Sequence, residues 1–209
     1  GNGFYEVIND PFSKIEHKDS IVVDNPLDSK RKHLRTSLKD SLIQNLLFNE
    51  RRQKDSIKLF EISNIYSSNN NNGEQYIGII ASGRVGNNYK DFSKKINLEY
   101  ISKTLSNLFS DKIFEPQKID RQSLDTKNKN DIIYLEMKIN EILNENIDHL
   151  ETDHSPKIFN QYKLISDYPS SIRDISFSVQ NANDYIKLER LIMDFTHQIL
   201  KEVFIFDFY

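Results

Sequence analysis

His149 and His154 are the nearest pair among the five histidines, and their spacing of five is off the i, i+4 geometry by which one helical face holds a metal ion. No HExxH occurs, and the chain has no cysteine, which removes thiolate ligation and disulfides together. No metal site is expected. All six glycines lie at or before Gly86, so nothing beyond that point can form a glycine-rich phosphate loop, and "GRVG" (83–86) fits neither GxGxxG nor a P-loop. Ser82, before Gly83, lies outside a GxSxG elbow and reads as a turn residue. The carboxylates are abundant but scattered, and one sequence does not say which two would face each other. No catalytic residue is assigned.

Cations do cluster. Residues 30–58 hold Lys30, Arg31, Lys32, Arg35, Lys39, Arg51, Arg52, Lys54 and Lys58 against Asp40, Glu50 and Asp55, a local excess of six positive charges. Two readings stand: a solvated helix face with cations towards its last turn, or a surface facing phosphates, which adds affinity without sequence selectivity. Lys30, Arg31, Lys32, Arg51, Arg52 and Lys54 are the RNA-facing candidates.

Elements must position these groups. Leu38, Leu42, Ile43, Leu46 and Leu47 share one face of a 3.6-residue period, which predicts a helix capped by Thr36 or Ser37, with Asp40 as a weak capping-box partner. "IKLFEI" (57–62) is apolar on both alternating faces, as a strand covered on both sides requires, with Glu61 sharing a face with Ile57 and Leu59. "SSNNNNGE" (67–74) predicts an exposed turn before the strand "YIGIIAS", hence a hairpin. Leu98, Ile101, Leu105, Leu108 and Phe109 mark a second amphipathic helix, and residues 120–131 a polar loop before the strand "DIIYLEMKI". From residue 160 the order becomes strand "RDISFSV", helix "NDYIKLERLIMDFTHQILKEV" capped by Asn183 or Asp184, and strand "FIFDFY". Leu188, Ile192, Phe195 and Ile199 line one face of that helix, making a βαβ unit. Its final strand ends the chain at Tyr209 with no covering element, so the expectation is a polypeptide continuing on both sides, whose half-domain is weakly stable or self-associating.

Length and composition bound the rest: 209 residues at 37% hydrophobic suit one medium domain or one domain plus part of a second. A formal net charge of -3 announces neither a nucleic-acid nor a membrane partner for the whole molecule. No apolar run reaches the ~18 residues of a spanning helix, and "GNGFYEVINDPF" lacks signal-peptide order. A soluble, cytoplasmic protein is expected.

Six blocks in order carry a family likeness. "GFYEVINDPF" (3–12), "NPLDSKRKHLRTSLKDSLIQNL" (25–46) and "IKLFEISNIY" (57–66, with Ser63 where glycine is usual) are the first three. "GRVGNNYKDFSKKINLEYI" (83–101, with Tyr89 where tryptophan is usual), "IYLEMKINEIL" (133–143), and "YPSSIRDISFSV" with "FIFDFY" complete them. Together they resemble the C-terminal half of the β subunit of bacterial phenylalanyl-tRNA synthetases. The likeness implies an α+β fold: a class II aminoacyl-tRNA synthetase-like antiparallel sheet with flanking helices over residues 1–159. Residues 160–209 would then be the first, βαβ half of a ferredoxin-like anticodon-binding domain. The motif residues it singles out as structural are Asn25, Pro26, Arg35, Thr36, Ser37, Phe60, Glu61, Pro169, Arg173, Asp174, Phe206 and Asp207. It also suggests that an inward-pointing Glu61 is paired with Arg35.

In such enzymes the α subunit makes phenylalanyl-adenylate and charges the tRNA. A working class II site needs an arginine in an F-R-x-E strand for the ATP α-phosphate and a late glycine-rich motif ending in arginine. Here no arginine separates Phe60 from Glu61, and no late glycine exists. The resemblance therefore implies a noncatalytic scaffold subunit in an (αβ)2 heterotetramer. It binds no cofactor itself, while the holoenzyme uses ATP and magnesium, and tRNA(Phe) is gripped through the complete anticodon-binding domain. The competing reading is a free-standing RNA-binding or regulatory paralogue that uses residues 30–58 on RNA.

Overall fold

The computed structural model describes residues 3–28, 31–86, 91, 93–108, 114–142, 162, 164 and 166–205. The chain divides into two compact units, Gly1–Asn146 with Ile205–Tyr209, and Ile147–Phe204. The boundary expected between residues 159 and 160 lies outside the described residues.

The first unit is built on a mixed sheet. Strands β1 (Tyr5–Glu6), β4 (Ser56–Ser67), β5 (Asn70–Gly83), β7 (Ile132–Lys138) and β6 (Gln117–Ile119) lie in that order, β1 parallel to β4 and the other pairs antiparallel. A small antiparallel ladder of β2 (Phe12–Ser13) and β3 (His33–Leu34) stands apart. Helix α1 (Lys39–Glu50) covers one face: Leu38, Leu42 and Leu46 are fully buried against Ile57, Leu59, Ile80, Ile132 and Tyr134. Helix α2 (Leu98–Leu108) serves the other, where Ile101 and Leu105 join Ile96 and Phe114 over Ile79, Ala81, Ile133 and Leu135. Both apolar periods and the two-sided strand thus have one cause: a central sheet needs cover on each face, at about 2 kcal/mol per buried leucine before conformational entropy is charged against it. Gly78 sits under α1, where a Cβ would lie 2.7 Å from Leu42 Cδ1 and 3.0 Å from Leu38 Cβ. The bare backbone sets how closely the helix approaches.

Three local expectations are corrected. The asparagine tract is mostly strand, because Ser67 pairs with Asn70 and only Ser68 and Asn69 turn. Polar side chains do not prevent a two-stranded ribbon from continuing its ladder, and Gly73 at φ +75° takes the conformation that L residues avoid. Helix α1 begins at Lys39 with Leu38 in the capping position. Ser37 Oγ accepts from Lys39 N–H while donating to Glu136, and Asp40 faces His17 at 3.7 Å. The N-terminal edge β1 and the short β6 are additions that the sequence reading lacked; two and three residues leave no period to detect.

In the second unit α4 (Ala182–Asp194) forms, but its cap is Asn181, whose side chain accepts from Asp184 N–H at 3.0 Å, two residues earlier than the first expected cap. The helix stops at Asp194, not in the 'KEV' of residues 201–203 that closes the expected segment. Phe195 turns to φ -69°, ψ 120° and is followed by Thr196 and His197, a run of weak helix formers. Phe195 and Ile199 therefore leave the helical face and are 58% and 85% exposed. Residues 173–179 and 203–204 are irregular, without ladder partners. Strand propensity alone does not make a strand, since its N–H and C=O groups need a neighbouring chain. Among the described residues of this unit none is buried. A short helix α3 (Ile139–Ile142) follows β7 in the first unit.

Candidate functional site

The most developed polar constellation is inside the first unit. β4 turns alternate side chains to opposite faces, so Glu61 follows Ile57 and Leu59 under α1 and is 1% exposed. Arg35, arriving from β3 and 4% exposed, donates from Nη1 to Glu61 Oε1 at 2.8 Å and from Nε to Asn64 O at 3.2 Å. Asn9 donates to the same carboxylate through its backbone N–H (3.3 Å) and through Nδ2 to Oε2 (2.7 Å). Asn45 of α1 donates to Asn9 Oδ1 at 2.8 Å. One ionic pair thus joins the N-terminal segment, β3, β4 and α1. A buried carboxylate is tolerable only with such compensation.

A second carboxylate ties the start of α1 to β7. Glu136 accepts from Leu38 N–H at 2.7 Å, from Ser37 Oγ–H at 2.9 Å and from the Tyr134 hydroxyl. Ser37 Oγ accepts in turn from Lys39 N–H at 3.1 Å. Burial first, then the charge of Glu136, pushes the Tyr134 hydroxyl far above its usual range and keeps it a donor. The first helix amides and their favourable dipole are therefore served jointly by a side chain 98 residues away, on Leu38 N–H, and by Ser37 Oγ, on Lys39 N–H. Glu136→Ala is expected to lower stability by about 2 kcal/mol, a fall in Tm of about 4–8 °C followed by far-UV circular dichroism, with Glu136→Gln recovering part of it.

At the other end of α1, Arg121 from the loop after β6 forks onto Glu50 (3.1 and 2.7 Å) and reaches Ser82 Oγ at 2.9 Å, while Thr126 Oγ1 donates to Glu50 at 3.0 Å. Lys58, buried on the α2 face, donates to Val85 O at 2.8 Å and Tyr100 Oη at 2.9 Å. Ser82 is thus a buried residue of β5, not the turn residue expected, because its ladder with β4 runs on to Gly83. Among the described residues no three of His, Asp and Glu converge to hold a metal ion.

The sequence candidates separate into groups. Arg35 meets Glu61, and Ser37 meets Glu136; Thr36 is half-buried, and Phe60 is half-buried on the opposite face of β4, against the cluster beneath α2. Asn25, at φ +52°, and Pro26 are exposed loop residues away from this network. Pro169, Arg173 and Asp174 are exposed in the second unit. Lys30, Phe206 and Asp207 lie outside the described residues. The basic cluster disperses. Arg35 and Lys58 are buried, Arg31 pairs with Asp10 at 3.0 Å, and Arg51 with Asp125 at 3.3 Å. Arg52 lies over the Phe48 ring at 3.3 Å, and Lys32 and Lys54 are exposed. Helix α1, about 18 Å long, lies between Arg31 and Lys32 and the group Arg51, Arg52 and Lys54 in the chain. Asn9, Asn45, Glu50, Arg121 and Glu136 were missed. Each acts across a separation that no local period encodes.

The family model described as "Phenylalanyl tRNA synthetase beta chain CLM domain" matches residues 1–131, which contain the Arg35–Glu61 pair and all of α1, β4, β5 and α2. The chain belongs to this family. It is similar to the phenylalanine–tRNA ligase beta subunit of Coxiella burnetii, 25% identical over 98% of this chain and 29% of that protein's length. The chloroplastic beta subunit of Pyropia yezoensis is 25% identical over 99% of this chain and 33% of its own. That of Dehalococcoides mccartyi strain CBDB1 is 30% identical over 40% of this chain and 12% of its own. The chain thus spans a third or less of these beta-subunit relatives. Among solved structures, a pyrrolysyl tRNA synthetase from Desulfitobacterium hafniense is similar at a TM-score of 0.46 and 14% identity, over 67% of this chain and 60% of that one. No described helix is long and apolar enough to cross a membrane.

Proposed function

We propose that this chain is a stretch of the beta subunit of a phenylalanine–tRNA ligase and serves as a noncatalytic scaffold for the alpha subunit in ATP-dependent charging of tRNA(Phe). The observation that carries the reading is the family match over residues 1–131, supported by beta-subunit relatives that align along almost the whole chain. The noncatalytic part has support in the geometry of β4. Glu61 is locked under α1 by Arg35 and Asn9, and Phe60 on the other face packs against the cluster beneath α2. Neither is free to meet a nucleotide. On this reading the chain binds no cofactor of its own, and the ATP and magnesium of the reaction belong elsewhere in an (αβ)2 heterotetramer.

On this reading the first unit is a class II synthetase-like module, with an antiparallel core of β4, β5, β7 and β6 between α1 and α2. Residues 160–209 are the opening half of a ferredoxin-like anticodon-binding domain, which grips tRNA only when complete. The wide exposure of Ile172, Ile175 and Leu191, at 85%, 71% and 69%, agrees with a segment whose sheet partners are supplied by more polypeptide. The compartment is the cytoplasm.

The test is co-expression with the phenylalanine–tRNA ligase alpha subunit of the same source, followed by size exclusion and a pyrophosphate-exchange assay. The chain is expected to co-elute with alpha and to show no exchange alone. A chain that ignores alpha yet binds RNA with a steep salt dependence would overturn the scaffold reading in favour of an RNA-binding paralogue.

A further inference from the structure

Strand β1 meets β4 through two residue pairs, Tyr5 with Leu59 and Glu6 with Phe60, and Val7 N–H donates to Phe60 O at 2.9 Å. So short a ladder does not define its own register, and here the apolar pattern does not define it either. Phe4 packs against the cluster beneath α2, and Val7 against the cluster beneath α1. Sliding the strand by one residue would put Tyr5 in the place of Phe4 and Ile8 in the place of Val7. An aromatic ring replaces an aromatic ring and a β-branched residue replaces another. Tyr5 and Ile8 are 71% and 92% exposed in the observed register, so burial of apolar area gives no reason to prefer it.

The next residue does. In the observed register Asn9 meets Glu61 with two donors and is itself held by Asn45. In the slid register Asp10 takes that place. A carboxylate has no side-chain N–H to give, and it would bring a second negative charge to a site where Glu61 is 1% exposed and Arg35 is the paired cation. Asp10 is instead left at the surface, 3.0 Å from Arg31.

We propose that Asn9 and Asp10 together set the register of the N-terminal edge strand: Asn9 completes the solvation of the buried Glu61 in one pairing, and the Asp10 carboxylate excludes the other. The network thereby acts as a reading frame for the strand, with Asn45 as the residue that positions Asn9. This goes beyond the scaffold reading and does not depend on it.

Residue-resolved amide hydrogen exchange of the 209-residue chain by NMR tests it, using the exchange Asn9→Asp/Asp10→Asn. In the parent the Val7 amide, bonded to Phe60 O, is expected to be protected and that of Ile8 to exchange freely. In the swapped variant protection is expected to move to Ile8, by about tenfold or more at each position, while Ile80 and Ile133 in the core keep their parental rates. Protection that stays on Val7 overturns the proposal. Should the swapped variant lose core protection, Asp10→Asn alone decides, because both registers then offer an asparagine to Glu61. Two sets of resonances for residues 4–8 support the proposal, and a single set in the parental register overturns it.

Discussion

Arg35→Met lowers the stability of the first unit by about 3–5 kcal/mol, while Arg35→Met combined with Glu61→Leu recovers most of the loss. The asymmetry follows from what each change leaves behind. With Arg35 gone, Glu61 keeps only the two donors of Asn9, both neutral, at a position 1% open to water. Asn64 O loses its partner as well. Removing both charges leaves a site bordered by Ile57, Leu59 and the leucines of α1, where methionine and leucine find apolar neighbours. Urea denaturation followed by far-UV circular dichroism reads the difference, with Tm falling by about 6–20 °C in the single variant. A single variant within about 0.5 kcal/mol of the parent would mean that water reaches Glu61 and that the pair is not an internal one.

That pair also shows how far the sequence could be read. Elements long enough to express a period were legible: α1 from its leucines, β4 from its two-sided apolar run, and the α2 face from Ile101 and Leu105. Glu61 was conspicuous because it is a charge inside an apolar run, and its partner was suggested by family likeness and not by spacing. Side chains acting over long separations stayed hidden. Glu136 shares with Ser37 the capping work expected of Thr36 or Ser37, and nothing near residue 38 announces it. Asn9 looks like an ordinary polar residue before a turn until Glu61 is seen beside it. Counting charges along the chain also does not show that Arg35 and Lys58 turn inward, while Arg31 and Arg51 stay exposed and meet acids from distant segments. In the second unit, strand-like composition did not suffice without neighbours to complete the ladder.

Gly83→Ala is expected to be the most damaging single methyl group in the first unit, at about 4 kcal/mol or more. Two costs add there. The residue holds φ +98°, where an L side chain is strained, and a Cβ would stand 1.9 Å from Asp55 O and 2.8 Å from its carbonyl carbon. That carbonyl cannot simply retreat. It accepts from Arg84 N–H at 2.7 Å, the Asp55 carboxylate is paired with Arg84 Nε at 2.5 Å, and Gly83 O accepts from Ile96 N–H at 2.9 Å. Movement would open the end of the β4–β5 ladder, where Ser56 opposes Gly83, and loosen Ile96 from the cluster beneath α2. Gly78→Ala is the informative contrast. Its Cβ would also be too close, at 2.7 Å, but to the terminal methyl of Leu42, which can rotate, and to Leu38 Cβ, which α1 can carry outward. Overpacking of that kind costs about 1–3 kcal/mol. Urea midpoints of the two variants should therefore rank Gly83→Ala well below Gly78→Ala. The reverse order would mean that the end of β5 yields more readily than the helix does, and that α1, not the hairpin, is the rigid reference of this sheet.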